Sequence, residues 1–260
     1  FQAYLPAGRE AIKALVERVR EAGFNHLVIT VDVPVATNPD NNRRAGFSSP
    51  LRPSIKLAWD GLTHPRWLFS TFFRTITKHG LPHFENNYAS RGAPIFSASV
   101  NRDISDRGGL DWEDLAYIRE LWTGNLTLKG VLNVDDAVRA YKVGVDALIV
   151  SNHGGRQLDG AVSPLTVLPS IVNAVGDIPV MIDSGFRRGT DVLKALALGA
   201  SFVFIGRPFG YAAAVAGEEG VKHAATLLRN EIARDMALLG ITDLKQLNTS
   251  FIHNPPNTQQ

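Results

Sequence analysis

Three segments of the chain repeat one pattern of apolar and polar positions: an amphipathic helix, a glycine, then a strand that is apolar at nearly every residue. In the first, Ile12, Leu15, Val16 and Val19 fall at helical spacing, Gly23 closes the run and HLVITVDVP follows. The second has Val134, Ala137, Val138 and Tyr141, then Gly144, then ALIVSN; the third has Leu193, Leu196 and Ala197, then Gly199, then FVFIGR. The last two align without a gap. A shift of 55 positions carries Asp136 onto Asp191, Arg139 onto Lys194, Ala140 onto Ala195 and Gly144 onto Gly199. Strands with no alternation of apolar and polar residues predict parallel pairing, with helices covering both faces.

Adding FQAYL, LTLKGV (126–131) and PVMIDSG (179–185) gives about six strand–helix units. An open doubly wound sheet or a (β/α)8 barrel accommodates them. The strand ends favour the barrel. Polar and charged residues close almost every strand: Gln2 and Tyr4, Thr30 and Asp32, Lys129, Ser151 and His153, Asp183, Gly206 and Arg207. A barrel gathers such ends around one mouth. The expectation is a single α/β domain over residues 1–260, a barrel lacking its first two strands, with 35–105 as a long lid or insertion. The absence of an initial methionine suggests that the natural chain begins earlier. The period predicts a helix over 221–239, stopped by Gly240, and NPPNTQQ reads as a solvated tail.

Composition narrows the functions. A net charge of +2 is no nucleic-acid footprint, so a small-molecule ligand is expected. With no cysteine, disulfides, thiolate metal sites and cysteine nucleophiles are excluded. No stretch reaches a membrane span and no signal peptide is evident, leaving the cytoplasm as the default compartment.

The candidate chemistry lies at the strand ends. DSGFRRGTD (183–191) and IGRP (205–208) combine glycines, Arg187 and Arg207, and a helix N-terminus near Thr190. Together they suggest a phosphate site after two adjacent strands. Lys129, among apolar neighbours, needs an anionic partner or must lose its proton; it is read as a Schiff-base lysine, a counter-charge for an electron-rich cofactor ring, or a structural ion pair. In SNHGGRQLDG (151–160), His153 is a candidate base oriented by a carboxylate such as Asp32. Arg156 offers a two-pronged fork for a substrate carboxylate.

These motifs resemble the FMN-dependent 2-hydroxy acid oxidases and dehydrogenases along nearly the whole chain. FQAY, TVDVP (30–34), LKGV (128–131), SNHGGRQLDG, DSGFRRGTDVLKALALGA (183–200) and IGRP carry the resemblance, and HPRW (64–67) with AVSPLTVLPS points to the bacterial L-lactate and (S)-mandelate dehydrogenase branch. The resemblance implies an FMN-carrying barrel that oxidises an L-2-hydroxy acid to the 2-oxo acid. Gln2 and Thr30 would touch the flavin ring, with Lys129 near its N1 and C2 oxygen. Ser151 would join the cofactor site, and Asp183, Gly185, Arg187, Gly206 and Arg207 would line the ribityl and phosphate side. His153 would be the base, supported by Asp32; Arg156 would clamp the carboxylate and Tyr4 would assist at the hydroxyl. Oxygen or a quinone or cytochrome would accept the electrons, and a homo-oligomer is expected. A truncated non-catalytic chain, or another FMN barrel enzyme, is the alternative.

One position departs from the family pattern. The second active-site arginine usual beyond TVDVP falls on Pro39, with Arg43 and Arg44 the nearest substitutes. Within 50–80, Trp59, Trp67, Phe69, Phe72 and Phe73 are interleaved with Arg52, Lys56, Arg66, Arg74 and Lys78. That mixture suits peripheral contact with an anionic membrane, on its inner face, or a lid over the barrel mouth.

Overall fold

The computed structural model describes residues 1–35, 42, 44–46, 51–86, 89–97 and 109–253. Pro39, Arg43, Pro50 and the tail from residue 254 lie outside the described residues. The chain divides into two compact units, one of residues 1–27 and 33–123, the other of 28–32 and 124–260.

In the first unit, β1 (Gln2–Ala3) lies beside the start of β2 (His26–Thr30), where the Phe1 ammonium donates to the His26 carbonyl at 2.7 Å. Helix α1 (Arg9–Glu21) buries Ile12, Leu15, Val16 and Val19, the stripe read from the sequence. Four apolar positions on one face leave it no stable way to stand alone in water. A run of helical pieces follows: α2 (Ile55–Leu62), α3 (Pro65–Trp67), a wider π-type turn over Leu68–Phe73 and α4 (Arg74–His79). The sequence reading took 35–105 as a long lid or insertion and assigned it no elements; its described part holds these helical pieces. Helix α5 (Trp112–Leu121) starts at a capping box, in which Asp111 Oδ1 accepts the Glu113 and Asp114 amides at 2.9 and 3.0 Å. It packs on α1, and Arg9 reaches Glu113 and Asp114.

The second unit carries the rest of β2, then β3 (Asn125–Val131), β4 (Ala147–Val150), β5 (Val180–Ile182) and β6 (Phe202–Val203) in chain order. From β3 to β6 each pair is parallel, with Thr127 opposite Ala147, Leu148 opposite Val180 and Met181 opposite Phe202. Every residue of β4 is buried, as a strand covered on both faces must be. The covering helices are α6 (Val134–Val143), α7 (Pro164–Val175), α8 (Gly189–Ala197) and α9 (Arg207–Leu238).

The internal repeat holds at the level of single hydrogen bonds. Gly144 N donates to Tyr141 O and Gly199 N to Leu196 O, both at 3.0 Å; Asp146 N donates to Leu126 O and Ser201 N to Val180 O, both at 2.8 Å. Both glycines stand at positive φ, 95° and 100°, where a Cβ would clash, so the same residue ends α6 and α8 for the same reason.

Two boundaries differ from the sequence reading. Lys129 does not end its strand: β3 runs on to Val131 with a register irregularity at Gly130. Helix α9 begins at Arg207, fourteen residues before the predicted 221, and breaks at Ala216 and Gly217. Gly210, Gly217 and Gly220 hide the helical period there.

Candidate functional site

The polar cluster of the second unit is assembled from the ends of β2, β3, β4 and β5 and the turn after β6. Thr30, the last residue of β2, is buried, and Asp32 follows it. At the irregularity in β3 the backbone comes so close to Asp32 that a Cβ on Gly130 would stand 2.6 Å from the Asp32 Cβ. Only a residue without a side chain permits that approach. It seats the Asp32 carboxylate next to Lys129 and His153.

Asp32 Oδ1 lies 3.0 Å from His153 Nδ1. An ionised carboxylate can only accept, so Nδ1 carries the proton and the ring lone pair lies on Nε2. Lys129 is buried; its Nζ donates to Ser151 Oγ at 3.0 Å, lies 3.2 Å from Asp183 Oδ2 and stands 3.9 Å from Asp32 Oδ2. Burial of an ammonium demands such partners. Asp32 Oδ2 is itself buried with no hydrogen-bond partner among the described residues. Lys129, His153 and Arg207, on three separate elements, are therefore joined through Ser151, Asp32 and the turn between them.

That turn follows β4. Its backbone is left-handed at His153, Gly154 and Gly155, with φ of 55°, 70° and 69°. Four consecutive amides are held by side-chain oxygens. Asn152 N and Gly154 N donate to Ser184 Oγ at 3.2 and 3.0 Å, His153 N to Ser151 Oγ at 3.0 Å, and Gly155 N to Asn152 Oδ1 at 3.0 Å. Arg207 Nη2 donates to the Gly154 carbonyl at 2.6 Å. The glycines of SNHGG thus do not form an anion-binding nest, because their donors are already used; the turn fixes the imidazole.

On the proposed phosphate side, the space where a Cβ would stand on Gly185 or Gly206 is open, with nothing within 4 Å. The exposed Arg187 guanidinium has no partner among the described residues. Three amides just before Thr190 are already in use. Arg187 N and Arg188 N both donate to Asp191 Oδ2 at 3.0 Å, and Gly189 N donates to Glu231 Oε2 at 2.9 Å. Guanidinium and open space are available to an anion there. Asp183, expected along the ribityl chain, is engaged with Lys129 and accepts from Ser184 Oγ at 2.8 Å. Arg156 is exposed with no partner among the described residues, and Gln2 and Tyr4 belong to the first unit.

The sequence reading missed Ser184, Asn152 and Glu231. Ser184 left a signal, being the one side chain between Asp183 and Gly185 in a turn built for glycine.

Residues 1–254 match the family model described as FMN-dependent dehydrogenase. The chain belongs to this family. It is 38% identical over 254 residues to (S)-mandelate dehydrogenase of Pseudomonas putida, a match covering 98% of this chain and 63% of that protein. It is 42% identical over 254 residues to L-lactate oxidase of Nostoc sp., covering 97% and 63%. Among solved structures, that of the monotopic membrane protein (S)-mandelate dehydrogenase superposes with a TM-score of 0.82 at 37% identity, covering 98% of this chain and 66% of that one. The chain thus spans about 63% of the length of the relatives it matches, and its alternating parallel strands and helices are those of the family's FMN-binding barrel.

FMN is the group this family carries, and the residues present fit it. The Lys129 ammonium has a third donor beyond Ser151 and Asp183 for an acceptor on the ring. Arg187 and the open space at Gly185 and Gly206 suit the phosphate.

Proposed function

We propose that the protein oxidises an L-2-hydroxy acid of the lactate or mandelate kind to the 2-oxo acid, with FMN as its redox group. The observation that carries the reading is the pairing of His153 Nδ1 with Asp32 Oδ1 at 3.0 Å beside the buried Lys129. The chemistry FMN would supply when bound is acceptance of the two electrons and one of the two hydrogens that the substrate loses, the other leaving as the proton taken by His153.

The chain's own residues do the rest. His153 Nε2 takes one proton from the 2-hydroxy acid, and the Asp32 carboxylate stabilises the imidazolium that results. Arg156 holds the substrate carboxylate in two-pronged contact and sets the hydroxyl toward the imidazole. Thr30, Lys129, Ser151, Asp183, Gly185, Arg187, Gly206 and Arg207 hold the cofactor. The electrons leave to oxygen or to a membrane acceptor.

The run from Ile55 to His79 supports peripheral membrane contact. Its Trp59, Leu62 and Phe69 are each about two-thirds exposed, Arg66, Arg74 and Lys78 stand among them, and none of its helical pieces buries a residue. No helix among the described residues is long and apolar enough to cross a membrane.

Arg156→Ala tests the clamp. Losing a charge-assisted contact of about 1.5–3 kcal/mol raises KM for the acid roughly ten- to hundredfold. The neutral methyl ester of the same acid, which offers no carboxylate, shows little change. Equal losses for acid and ester would remove Arg156 from carboxylate binding.

A further inference from the structure

The turn that presents His153 is tied to the neighbouring strand by one hydroxyl. Ser184, the second residue past β5, donates to Asp183 Oδ1 at 2.8 Å and accepts from Asn152 N at 3.2 Å and Gly154 N at 3.0 Å. A hydroxyl has one donor and two acceptor sites, so its capacity is fully used. Its two acceptor bonds fall on the amides immediately before and after that of His153. At φ 85°, Ser184 is also one of three described non-glycine residues in the left-handed region, where glycine is the unstrained choice.

We infer that Ser184 is a positioning residue for the proposed base: it holds residues 152–154 so that the His153 imidazole meets Asp32, and the backbone strain at residue 184 is kept for that purpose. The argument is one of alternatives. Glycine at 184 would relax the backbone and leave two amides of the turn without their shared acceptor. Those amides would seek water, and the turn, already left-handed at three residues, would gain freedom at the residue whose orientation matters. The hydrogen bonds of Ser184 run to the Asp183 carboxylate and to two backbone amides of the turn, so its hold on the imidazole passes through that backbone. The lateral tie also links the end of β5, where Asp183 meets Lys129, to the end of β4, so the cofactor side and the base share a hydrogen-bond chain.

The proposal rests on the reading of His153 as base, and the test separates the two. Two variants are compared, Ser184→Gly, which removes hydroxyl and strain together, and Ser184→Ala, which removes the hydroxyl and keeps the strain. Amide hydrogen exchange of Asn152 and Gly154 is measured in the FMN-free and FMN-loaded protein, and flavin reduction by substrate in the parent and His153→Gln backgrounds. The expected result is faster exchange at both amides in both variants. Flavin reduction slows about ten- to hundredfold in the parent background, the cost of a base displaced by a fraction of an ångström to one ångström. In the His153→Gln background Ser184→Gly costs nothing further, as required if it acts only through the imidazole. Thermal unfolding of both variants is followed alongside, so that a slow rate is not put down to unfolding. Unchanged exchange in both variants, or the same loss of rate with His153 present and absent, overturns the proposal. If His153→Gln alone reduces flavin at the parent rate, it is the base assignment that fails, and the exchange data still decide whether Ser184 holds the turn.

Discussion

In the turn after β4 every backbone donor from Asn152 to Gly155 meets a side-chain oxygen of the same unit, whereas in the run from Ile55 to His79 the aromatic side chains stack on one another and still face outward. Trp67 and Phe72 lie 5.8 Å apart between ring centroids, and Phe72 and Phe73 5.5 Å, yet all three remain at least 41% exposed. The first region is built inward. Its residues are specified by one another, and a single extra atom is felt. The second is a helical support for exposed apolar and basic residues, on which the proposed membrane contact rests. The difference teaches where each sort of substitution will register: packing changes in the first region, partner changes in the second.

Paired glycine substitutions sharpen the contrast most. Gly130→Ala sets a Cβ 2.6 Å from Asp32 Cβ and 2.9 Å from Asp32 N, at φ 106°. Strain and overpacking together should cost about 2–6 kcal/mol of unfolding free energy, read by chemical denaturation. An intermediate effect is expected on the surface. Replacing Arg66 and Arg74 with glutamine should weaken binding to vesicles containing phosphatidylserine by about 1 kcal/mol per charge, with neutral vesicles unaffected by the change. The smallest effect belongs to Gly61→Ala in α2, where the new Cβ would meet only Trp67 at 3.6 Å. Helix propensity then predicts a gain of about 0.5–1 kcal/mol. Equal costs at Gly130 and Gly61 would erase the distinction between the two regions.

Much of the fold was legible where its periodicities are undisturbed. Ile12 to Val19, the apolar strands and the repeat relating Gly144 to Gly199 each state one requirement that one residue type meets. His153 with Asp32 and Lys129 with an anionic partner were legible as well, since a buried charge must be paired. Tertiary override accounts for the misses. The start of α9 carries Gly206, Pro208 and Gly210, which read as a turn, but Pro208 sits in the first turn of a helix, where its missing N–H costs nothing. The donors at the start of α8 were read as open to a phosphate because Glu231, which fills one of them, lies 42 residues further along the chain. Ser184 was passed over because its importance lies in which amides it accepts from, and that is set by the parallel placement of β4 beside β5.

The central claim is that the strand ends of the second unit form a flavin site with His153 as its base. Anaerobic titration of the FMN-loaded protein with L-lactate, (S)-mandelate and glycolate, followed by loss of the oxidised flavin absorbance, tests it most directly. The account predicts bleaching by at least one of these acids and, in His153→Gln, retained yellow colour with bleaching slowed by about 10²–10⁴-fold. No bleaching by any acid, or bleaching of His153→Gln at the parent rate, would contradict it.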